Sequence, residues 1–279
     1  MKCERLELKN YFDFIGANGE NPTLDIYLPY NMLEMRRENQ KRPCMLVCPG
    51  GGYGMCSERE AEPIALHFLP EGFNVFVLTY SVAPYRFPTQ IREVAAAMEL
   101  IYKNADEWNC DTEKIAIIGF SAGGHLAAHY STMFDCKEVR EVLPESKSVN
   151  ATVLSYPVIS ADFDITHQGS ILNLLGHKPE TKEEEEYFSC NCNVKATTPP
   201  AFLWHTAEDG AVPVANSFLY ASALSEKKVP VELHVYPFGG HGLSTSDKHT
   251  VDNVTNIVEY NNIWLSSVKR WLNLIFDCR

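Results

Sequence analysis

Residues 114–130 read KIAIIGFSAGGHLAAHY, in which a Gly-x-Ser-x-Gly pattern stands between an apolar run of strand length and a segment suited to a helix. The glycines beside the serine relieve crowding at a sharp strand-to-helix turn, so the serine can adopt a strained backbone conformation with its hydroxyl exposed. This nucleophile elbow predicts that Ser121 is a nucleophile. It also predicts a strand of a parallel sheet followed by a helix that packs on that sheet.

Apolar runs of strand length alternate with longer segments of helical period along the chain. That alternation is typical of an α/β fold, with a mostly parallel central sheet and helices on both faces. A length of 279 residues suits one large core, and no break in composition divides it, so we expect a single domain over residues 1–279. The predicted strands are Leu24–Leu28, Met45–Cys48, Val75–Tyr80, Lys114–Ile118, Ala151–Tyr156, Ala201–Thr206 and Val231–Tyr236.

A nucleophilic serine needs a histidine to take its proton, and that histidine needs a carboxylate to hold its tautomer and stabilise its charge. In this kind of sheet the order along the chain is Ser, acid, His, each in a loop after a strand. Asp209 lies in AEDGAVP after the strand AFLWHT, and His241 lies in GGHG after the strand VELHVYPF. We therefore predict a catalytic triad of Ser121, Asp209 and His241. Glu208 is the alternative acid, but from a short loop its side chain would point the other way.

The remaining histidines near these motifs are expected to be structural. His125 follows Ser121 by one helical turn, so it is predicted to pack or hydrogen-bond beside the elbow. His129, His205 and His234 fall within a predicted helix and predicted strands, where a structural role is the expectation.

The stretch CPGGGYG, residues 48–54, puts three glycines directly after a predicted strand. It lacks the Lys-Ser/Thr of a phosphate-binding loop, and Met55 stands where Gly-x-Gly-x-x-Gly would require its third glycine. Its strand lies two strands before the nucleophile strand along the chain, where acyl-transfer enzymes with this sheet place an oxyanion donor. We predict an oxyanion hole formed by the N–H groups of Gly51, Gly52 and Ala122.

Two further segments carry predictions. Residues 159–198 lose the helical and strand periods, and a segment of about 40 residues is too long for a mere connection, so we expect short helices that form a cap or lid. Its glutamate run, 183–186, is expected on a solvated helix face. The motif SERE, residues 57–60, predicts a capping box in which Ser57 caps a helix and Glu60 reaches back to it.

Composition excludes several classes of function. The net charge of −12 offers no basic surface for nucleic acid. The N-terminal stretch MKCERLELKNYF has no apolar run of signal-peptide length, and no apolar stretch of about 18 residues could span a membrane. We expect a cytoplasmic protein that binds neither nucleic acid nor membrane. Nine cysteines without a framework or paired spacing predict free thiols and no metal site.

The motifs PGGGY, GFSAGGH, EDGAVP and GGHG occur in this order between Met45 and His241. Together they resemble the α/β-hydrolase superfamily, and more narrowly its esterase and lipase branch with an HGGG loop, including bacterial acetyl-xylan-esterase-like and feruloyl-esterase-like enzymes. Pro49 stands where relatives commonly have a histidine that helps to fix the loop, so we expect Pro49 to brace it through its own φ of about −65°. Ser81 likewise stands where an arginine often follows the tyrosine.

The resemblance implies a serine carboxylesterase that removes short acyl groups, chiefly acetyl, from carbohydrates such as xylo-oligosaccharides through an acyl-enzyme. It implies no metal and no organic cofactor, a small-molecule ester as partner, and leaves a homodimer open. An arylformamidase or a peptidase on the same fold is the alternative enzyme. A catalytically inactive hydrolase fold used as a binding module is the alternative from another class.

Overall fold

The computed structural model describes residues 1–253 and 255–277. Within them the strands are β1 (Lys2–Glu7), β2 (Thr23–Leu28), β3 (Arg42–Cys48), β4 (Asn74–Thr79), β5 (Cys110–Phe120), β6 (Ala151–Ser155), β7 (Ala201–Thr206) and β8 (Val231–Tyr236). They form one sheet in the order β1-β2-β4-β3-β5-β6-β7-β8. Strands β3 to β8 are parallel, whereas β2 is antiparallel to both β1 and β4.

Helices cover both faces of this sheet. In the described part of the chain the α-helices are α1 (Glu62–Phe68), α2 (Thr89–Lys103), α3 (Ala122–Met133), α4 (Lys137–Arg140), α5 (Gln168–Leu175), α6 (Lys182–Phe188), α7 (Ala215–Glu226), α8 (Asn256–Asn261) and α9 (Ile263–Asp277).

The sheet separates two hydrophobic cores. Successive residues of β3 point to opposite faces, so Leu46 packs into the core with Val94 of α2 and Leu126 of α3. Val47 packs into the other core, which contains Trp264 of α9. Burial on both faces explains why the central strands are continuous apolar runs in the sequence. The predicted mostly parallel α/β sheet is thus confirmed.

Strand β1 is the strand that the sequence analysis did not predict. Its sequence KCERLE carries exposed residues at its first four positions, so it shows no buried face from which a strand could be read. It forms by antiparallel pairing with β2 at the edge of the sheet, where Arg5 lies opposite Asp25. Pairing with a neighbour, rather than its own apolar pattern, therefore determines this strand.

The candidate site residues follow the carboxyl ends of parallel strands, which meet at one edge of the sheet. The glycine loop, residues 49–54, follows β3, and Ser121 follows β5 directly. Asp209 comes after β7 and His241 after β8. The topology therefore gathers four separate sequence motifs at one place.

Residues 159–198 contain α5, α6 and a 3₁₀ turn at Cys190–Asn193. The glutamate run lies in the first turns of α6, where Thr181 caps the helix by accepting a hydrogen bond from the N–H of Glu184 at 3.1 Å. Acidic residues are favoured there because they lie near the positive end of the helix dipole. That this segment acts as a lid over a single domain remains a prediction.

The predicted capping box at Ser57 is wrong. Ser57 precedes a 3₁₀ turn at Glu58–Glu60 and makes no side-chain capping bond, and α1 begins only at Glu62. The physical reason is that the Glu60 carboxylate is buried and bonds to other partners beneath the site, as described below.

In the described residues, no helix is both long enough and apolar enough to cross a membrane. Eight cysteines in the same residues are free, and the predicted free thiol of Cys278 lies outside the described residues.

Candidate active site

Ser121 occupies the sharp turn between β5 and α3, with φ 53° and ψ −117°. A positive φ is uncommon for a residue other than glycine and is tolerated where the surroundings enforce it. The flanking glycines leave no room for a side chain. A Cβ on Gly119 would lie 2.1 Å from the carbonyl oxygen of Gly123, and one on Gly123 would lie 2.2 Å from those of Cys48 and Pro49. Close backbone packing thus requires both glycines of the Gly-x-Ser-x-Gly pattern.

Ser121, His241 and Asp209 form one hydrogen-bonded chain. His241 Nδ1 lies 2.6 Å from Asp209 Oδ2, and His241 Nε2 lies 2.8 Å from Ser121 Oγ. Because a carboxylate only accepts hydrogen bonds, Nδ1 carries the proton and Nε2 is left to accept one from the serine hydroxyl. The structure therefore brings the three predicted triad residues together in the tautomer that a general base requires.

The side chain of Asp209 is fully buried. Burial alone would raise the pKa of this carboxyl, but hydrogen bonds from His205, His241 and the Val212 N–H hold it well below its usual range. Oδ1 accepts from the N–H groups of Ala211 and Val212, each at 2.9 Å. Asp209 is therefore held as a carboxylate facing the histidine ring.

Glu208, the alternative acid, is exposed and does not join this chain. Its Oε2 accepts a hydrogen bond of 3.2 Å from the N–H of Gly239.

His205 is a partner of the site that the sequence analysis treated as structural. Its Nε2 lies 2.9 Å from the carbonyl oxygen of Val212 and 3.2 Å from Asp209 Oδ2, so it must carry the proton that these two acceptors share. Its Nδ1 then accepts from the hydroxyl of Ser217 at 2.8 Å. The sequence offers one signal for this role, which is the position of His205 four residues before Asp209. Many histidines near the end of a strand are purely structural, so this position alone does not identify a site residue.

The predicted oxyanion residues Gly51 and Gly52 line the same cavity as Ser121 and His241. Their φ angles are +125° and +65°, a region that favours glycine. Ala122 is the first residue of α3, where helix N–H groups have no partner within the helix. No hydrogen bond among the described residues uses the N–H of Gly51, Gly52 or Ala122, so these donors remain free for a ligand.

Three side chains hold the glycine loop in place. The hydroxyl of Tyr80 donates to the carbonyl oxygen of Pro49 at 2.6 Å, and the N–H of Gly50 donates to Glu60 Oε2 at 2.8 Å. Asn173 Nδ2, from α5, donates to the carbonyl oxygen of Gly52 at 2.9 Å. These three bonds fix the loop from outside it, and the expectation that Pro49 braces the loop through its own φ stays a prediction.

Glu60 also connects the glycine loop to the loop after β8 that carries His241. Its Oε1 accepts a hydrogen bond of 2.6 Å from the hydroxyl of Tyr156, and that hydroxyl accepts one of 2.9 Å from the N–H of Ser244. Burial raises the pKa of Glu60, while the bonds from Tyr156 and Gly50 oppose that rise. The ring of Tyr156 packs edge-on against the ring of His241, with centroids 5.0 Å apart.

Ser121 and His241 line a cavity of about 670 Å³. His167, from the segment 159–198, lies on its wall and was not predicted as a site residue. Its Nδ1 accepts from the N–H of Ser170 at 3.3 Å and lies 2.8 Å from the Ser170 hydroxyl, whereas its Nε2 has no partner among the described residues. Burial lowers the pKa of His167, and the nearby His241 lowers it further. A neutral His167 thus presents its Nε2–H as a donor at the cavity.

His125 lies beside the elbow as predicted, and its contacts connect two parts of the site. The ring is fully buried. Its Nδ1 accepts a hydrogen bond of 2.9 Å from the hydroxyl of Tyr53, and its Nε2 donates one of 2.8 Å to the carbonyl oxygen of Phe188. Burial lowers the pKa of His125 to about 4, so the ring is neutral. Through it the glycine loop is tied to the segment 159–198.

No group of three or more His, Cys, Asp or Glu side chains is arranged to hold a metal ion in residues 1–253 and 255–277.

Comparison with known proteins identifies related sequences and structures. A family model described as BD-FAE matches residues 24–224. Endo-1,4-beta-xylanase B of Butyrivibrio fibrisolvens is 40% identical over 254 residues, which cover 88% of this chain and 38% of that protein. An acetylxylan esterase of Xylanibacter ruminicola is 32% identical over 209 residues, which cover 74% of this chain and 42% of that protein. This chain therefore spans less than half the length of these two curated relatives.

Among solved structures, an acetyl ester-xyloside bifunctional hydrolase from Caldicellulosiruptor lactoaceticus superposes with a TM-score of 0.82 at 33% sequence identity. The superposition covers 98% of this chain and 96% of that one.

Proposed function

Since this chain belongs to the BD-FAE family and has the α/β-hydrolase fold, we propose that it is a serine carboxylesterase. Its substrates are short acyl esters, chiefly acetyl esters, of carbohydrates such as xylo-oligosaccharides. The observation that carries the proposal is the hydrogen-bonded chain from Ser121 through His241 to Asp209, beside the free N–H groups of the glycine loop.

The reaction begins when Ser121 Oγ attacks the ester carbonyl and His241 Nε2 takes the hydroxyl proton. Asp209 stabilises the positive charge that develops on the imidazole ring. The N–H groups of Gly51, Gly52 and Ala122 donate to the oxyanion of the tetrahedral intermediate. Each such donor contributes about 2.7–4 kcal/mol to the stability of the transition state.

The intermediate collapses when His241 returns the proton to the alkoxide oxygen of the alcohol, which leaves an acyl group on Ser121. His241 then takes a proton from water as the water oxygen attacks the acyl carbon. When the bond from that carbon to Ser121 Oγ breaks, His241 gives the proton to Oγ, which restores the serine hydroxyl and releases the carboxylic acid. Every step uses groups of the chain itself and water.

The choice of substrate is supported by the cavity and by the relatives. The cavity wall includes four glycines and the polar side chains of Ser57, Arg59, His167 and Asn173, alongside the apolar side chains of Met55 and Ala211. Two of the related proteins are described as an acetylxylan esterase and an acetyl ester-xyloside hydrolase. A short acyl group on a polyhydroxylated alcohol fits these features.

The test compares wild-type protein with Ser121→Ala and with Ser266→Ala, a control at an exposed serine of α9. Hydrolysis of p-nitrophenyl acetate and of acetylated xylo-oligosaccharides is expected to disappear in Ser121→Ala and to persist in Ser266→Ala. Normal hydrolysis by folded Ser121→Ala would refute the serine mechanism.

A series of p-nitrophenyl esters with increasing acyl length tests the acyl group, and a rate maximum at long chains would refute the sugar-ester assignment. A parallel series of anilides and formamides tests the amidase alternative. An active-site fluorophosphonate probe that fails to label folded wild-type protein would instead support the inactive binding module.

A further inference from the structure

A second cavity, of about 560 Å³, adjoins the candidate active site. We call it the edge groove. Its volume lies within the range of about 300–1,000 Å³ that is usual for small-molecule pockets. The residues of its wall that matter here are Arg5, Asp25, Tyr27, Glu58, Glu62 and Thr79.

The edge groove begins at the same edge of the sheet as the candidate active site. Thr79, at the carboxyl end of β4, pairs with Thr23 at the start of β2, and both residues line the groove. Pro49, at the end of β3, lines it as well. In the sheet order β2-β4-β3-β5, the groove therefore lies beside the glycine loop on the side away from Ser121.

The two cavities share part of their walls. Cys56, Ser57 and Glu58 line both the catalytic cavity and the edge groove. These three residues therefore form the boundary between the two cavities, and Glu58 is exposed there.

The groove offers the groups that recognise a polyhydroxylated ligand. Tyr27 contributes an aromatic ring and a hydroxyl, and burial and the nearby carboxylates raise its pKa to about 12, so the hydroxyl keeps its proton. No hydrogen bond among the described residues uses the side-chain hydroxyl of Tyr27, Ser57 or Thr79. Aromatic rings pack against the apolar faces of ligands, and free hydroxyls both donate and accept hydrogen bonds.

The charged groups of the groove are mostly negative. Arg5 binds Asp25 through two hydrogen bonds, from Nε at 2.6 Å and from Nη2 at 2.7 Å, so its charge is already paired. Glu58 and Glu62 are exposed and add two carboxylates without a further cation in the groove wall. This excess of negative charge disfavours an anionic ligand.

We propose that the edge groove binds the sugar residues next to the acylated one, and that it selects a neutral oligosaccharide as the alcohol part of the substrate. This inference rests on the proposed function. The ester carbonyl lies at Ser121, the chain of sugars passes Cys56–Glu58, and a sugar face packs on the ring of Tyr27. Uronic acid substituents on the chain are repelled by Glu58 and Glu62.

The experiment measures kcat/KM for acetylated xylotetraose and for p-nitrophenyl acetate, which is too small to reach the groove. The ratio of the two values is expected to fall at least tenfold in Tyr27→Ala. It is also expected to fall in Thr79→Trp, which fills the groove from an exposed position. Tyr11→Ala, at an exposed tyrosine outside both cavities, is the matched control and is expected to keep the ratio within twofold. An unchanged ratio in both groove variants would overturn the proposal.

A second measurement tests the selection for neutral sugars. Acetylated xylotetraose that carries a glucuronic acid is expected to react more slowly than the neutral chain, and Glu62→Gln is expected to narrow that difference. Equal kcat/KM values of the wild type for the neutral and the glucuronic-acid-bearing substrate would overturn the selection for neutral sugars.

Direct binding separates this proposal from the proposed function. Unacetylated xylotetraose is titrated by calorimetry into Ser121→Ala and into the same protein with Tyr27→Ala. Binding that Tyr27→Ala weakens supports the groove even if the wild type hydrolyses no ester. Absence of binding to Ser121→Ala overturns the groove even if the esterase activity is present.

Discussion

Substitution of Gly51 by alanine is expected to lower kcat much more than the same substitution at its neighbour Gly52. A Cβ on Gly51 would lie 2.2 Å from the carbonyl oxygen of Met55, and the φ of +125° is one that alanine rarely adopts. Backbone must therefore move, and the N–H of Gly51 moves with it. A Cβ on Gly52 would meet His167 Cε1 at 3.7 Å, an ordinary contact.

The expected magnitudes follow from these two geometries. Loss of one oxyanion donor costs about 2.7–4 kcal/mol, or roughly 10²–10³ in kcat, and we expect that loss for Gly51→Ala. The φ of +65° at Gly52 lies in the left-handed region, where a side chain costs about 1–2 kcal/mol of stability. For Gly52→Ala we therefore expect a lowered unfolding temperature but a loss in kcat of less than about tenfold.

The assay is the steady-state hydrolysis of p-nitrophenyl acetate, with thermal unfolding followed by circular dichroism as the control for folding. The reasoning would be refuted if folded Gly51→Ala kept kcat within tenfold of the wild type. Equal losses of kcat in the two variants would also refute it, since only one of them is predicted to displace its donor.

Two further predictions concern the loop and the buried histidines. Pro49→His is expected to keep kcat within about tenfold, because Tyr80 still donates to the carbonyl oxygen of residue 49. Tyr80→Phe removes that bond and should lower kcat further. Comparable losses of kcat in the two variants would mean that the proline ring holds the loop. Burial lowers the pKa of His125 to about 4 and that of His129 to about 3, so both protonate first in the unfolded chain. The free energy of unfolding should therefore be highest above pH 6.5 and fall as the pH drops towards 4, by on the order of 3 kcal/mol for His125 alone. Urea titrations across this pH range measure the change. His129→Leu removes a buried Nε2 that has no partner among the described residues, so its free energy of unfolding should fall less towards low pH than that of the wild type. An identical pH dependence in the two proteins would contradict this assignment.

The α/β-hydrolase fold and the positions of Ser121, Asp209 and His241 could be predicted from the sequence because they depend on local patterns. Each follows a strand whose apolar run is visible, and parallel strands bring their carboxyl ends to one edge. The structure places the three residues in one hydrogen-bonded chain, while their catalytic roles remain predictions.

The partners of these residues could not be predicted in the same way. Tyr156 reaches Glu60 only through a contact between elements that are distant in sequence. His205 is near Asp209 in sequence, but its strand pattern does not show that its ring turns towards that carboxylate. Glu60 has the spacing from Ser57 that is typical of a capping box, but a buried bond to the N–H of Gly50 outweighs the cap. Local spacing predicts what a residue is able to do, whereas the tertiary environment decides which of those bonds forms.

The bonds from Asn173 to Gly52, and from Phe188 through His125 to Tyr53, join the segment 159–198 to the glycine loop. An engineer who exchanged this segment with that of a relative, in order to change substrate preference, would at the same time replace two supports of the proposed oxyanion hole. Such a chimera would lose turnover as well as selectivity unless it kept the amide side chain of Asn173 and the position of the backbone carbonyl of Phe188. In this protein, the segment that contributes His167 and Asn173 to the cavity wall and the loop proposed to stabilise the transition state cannot be redesigned separately.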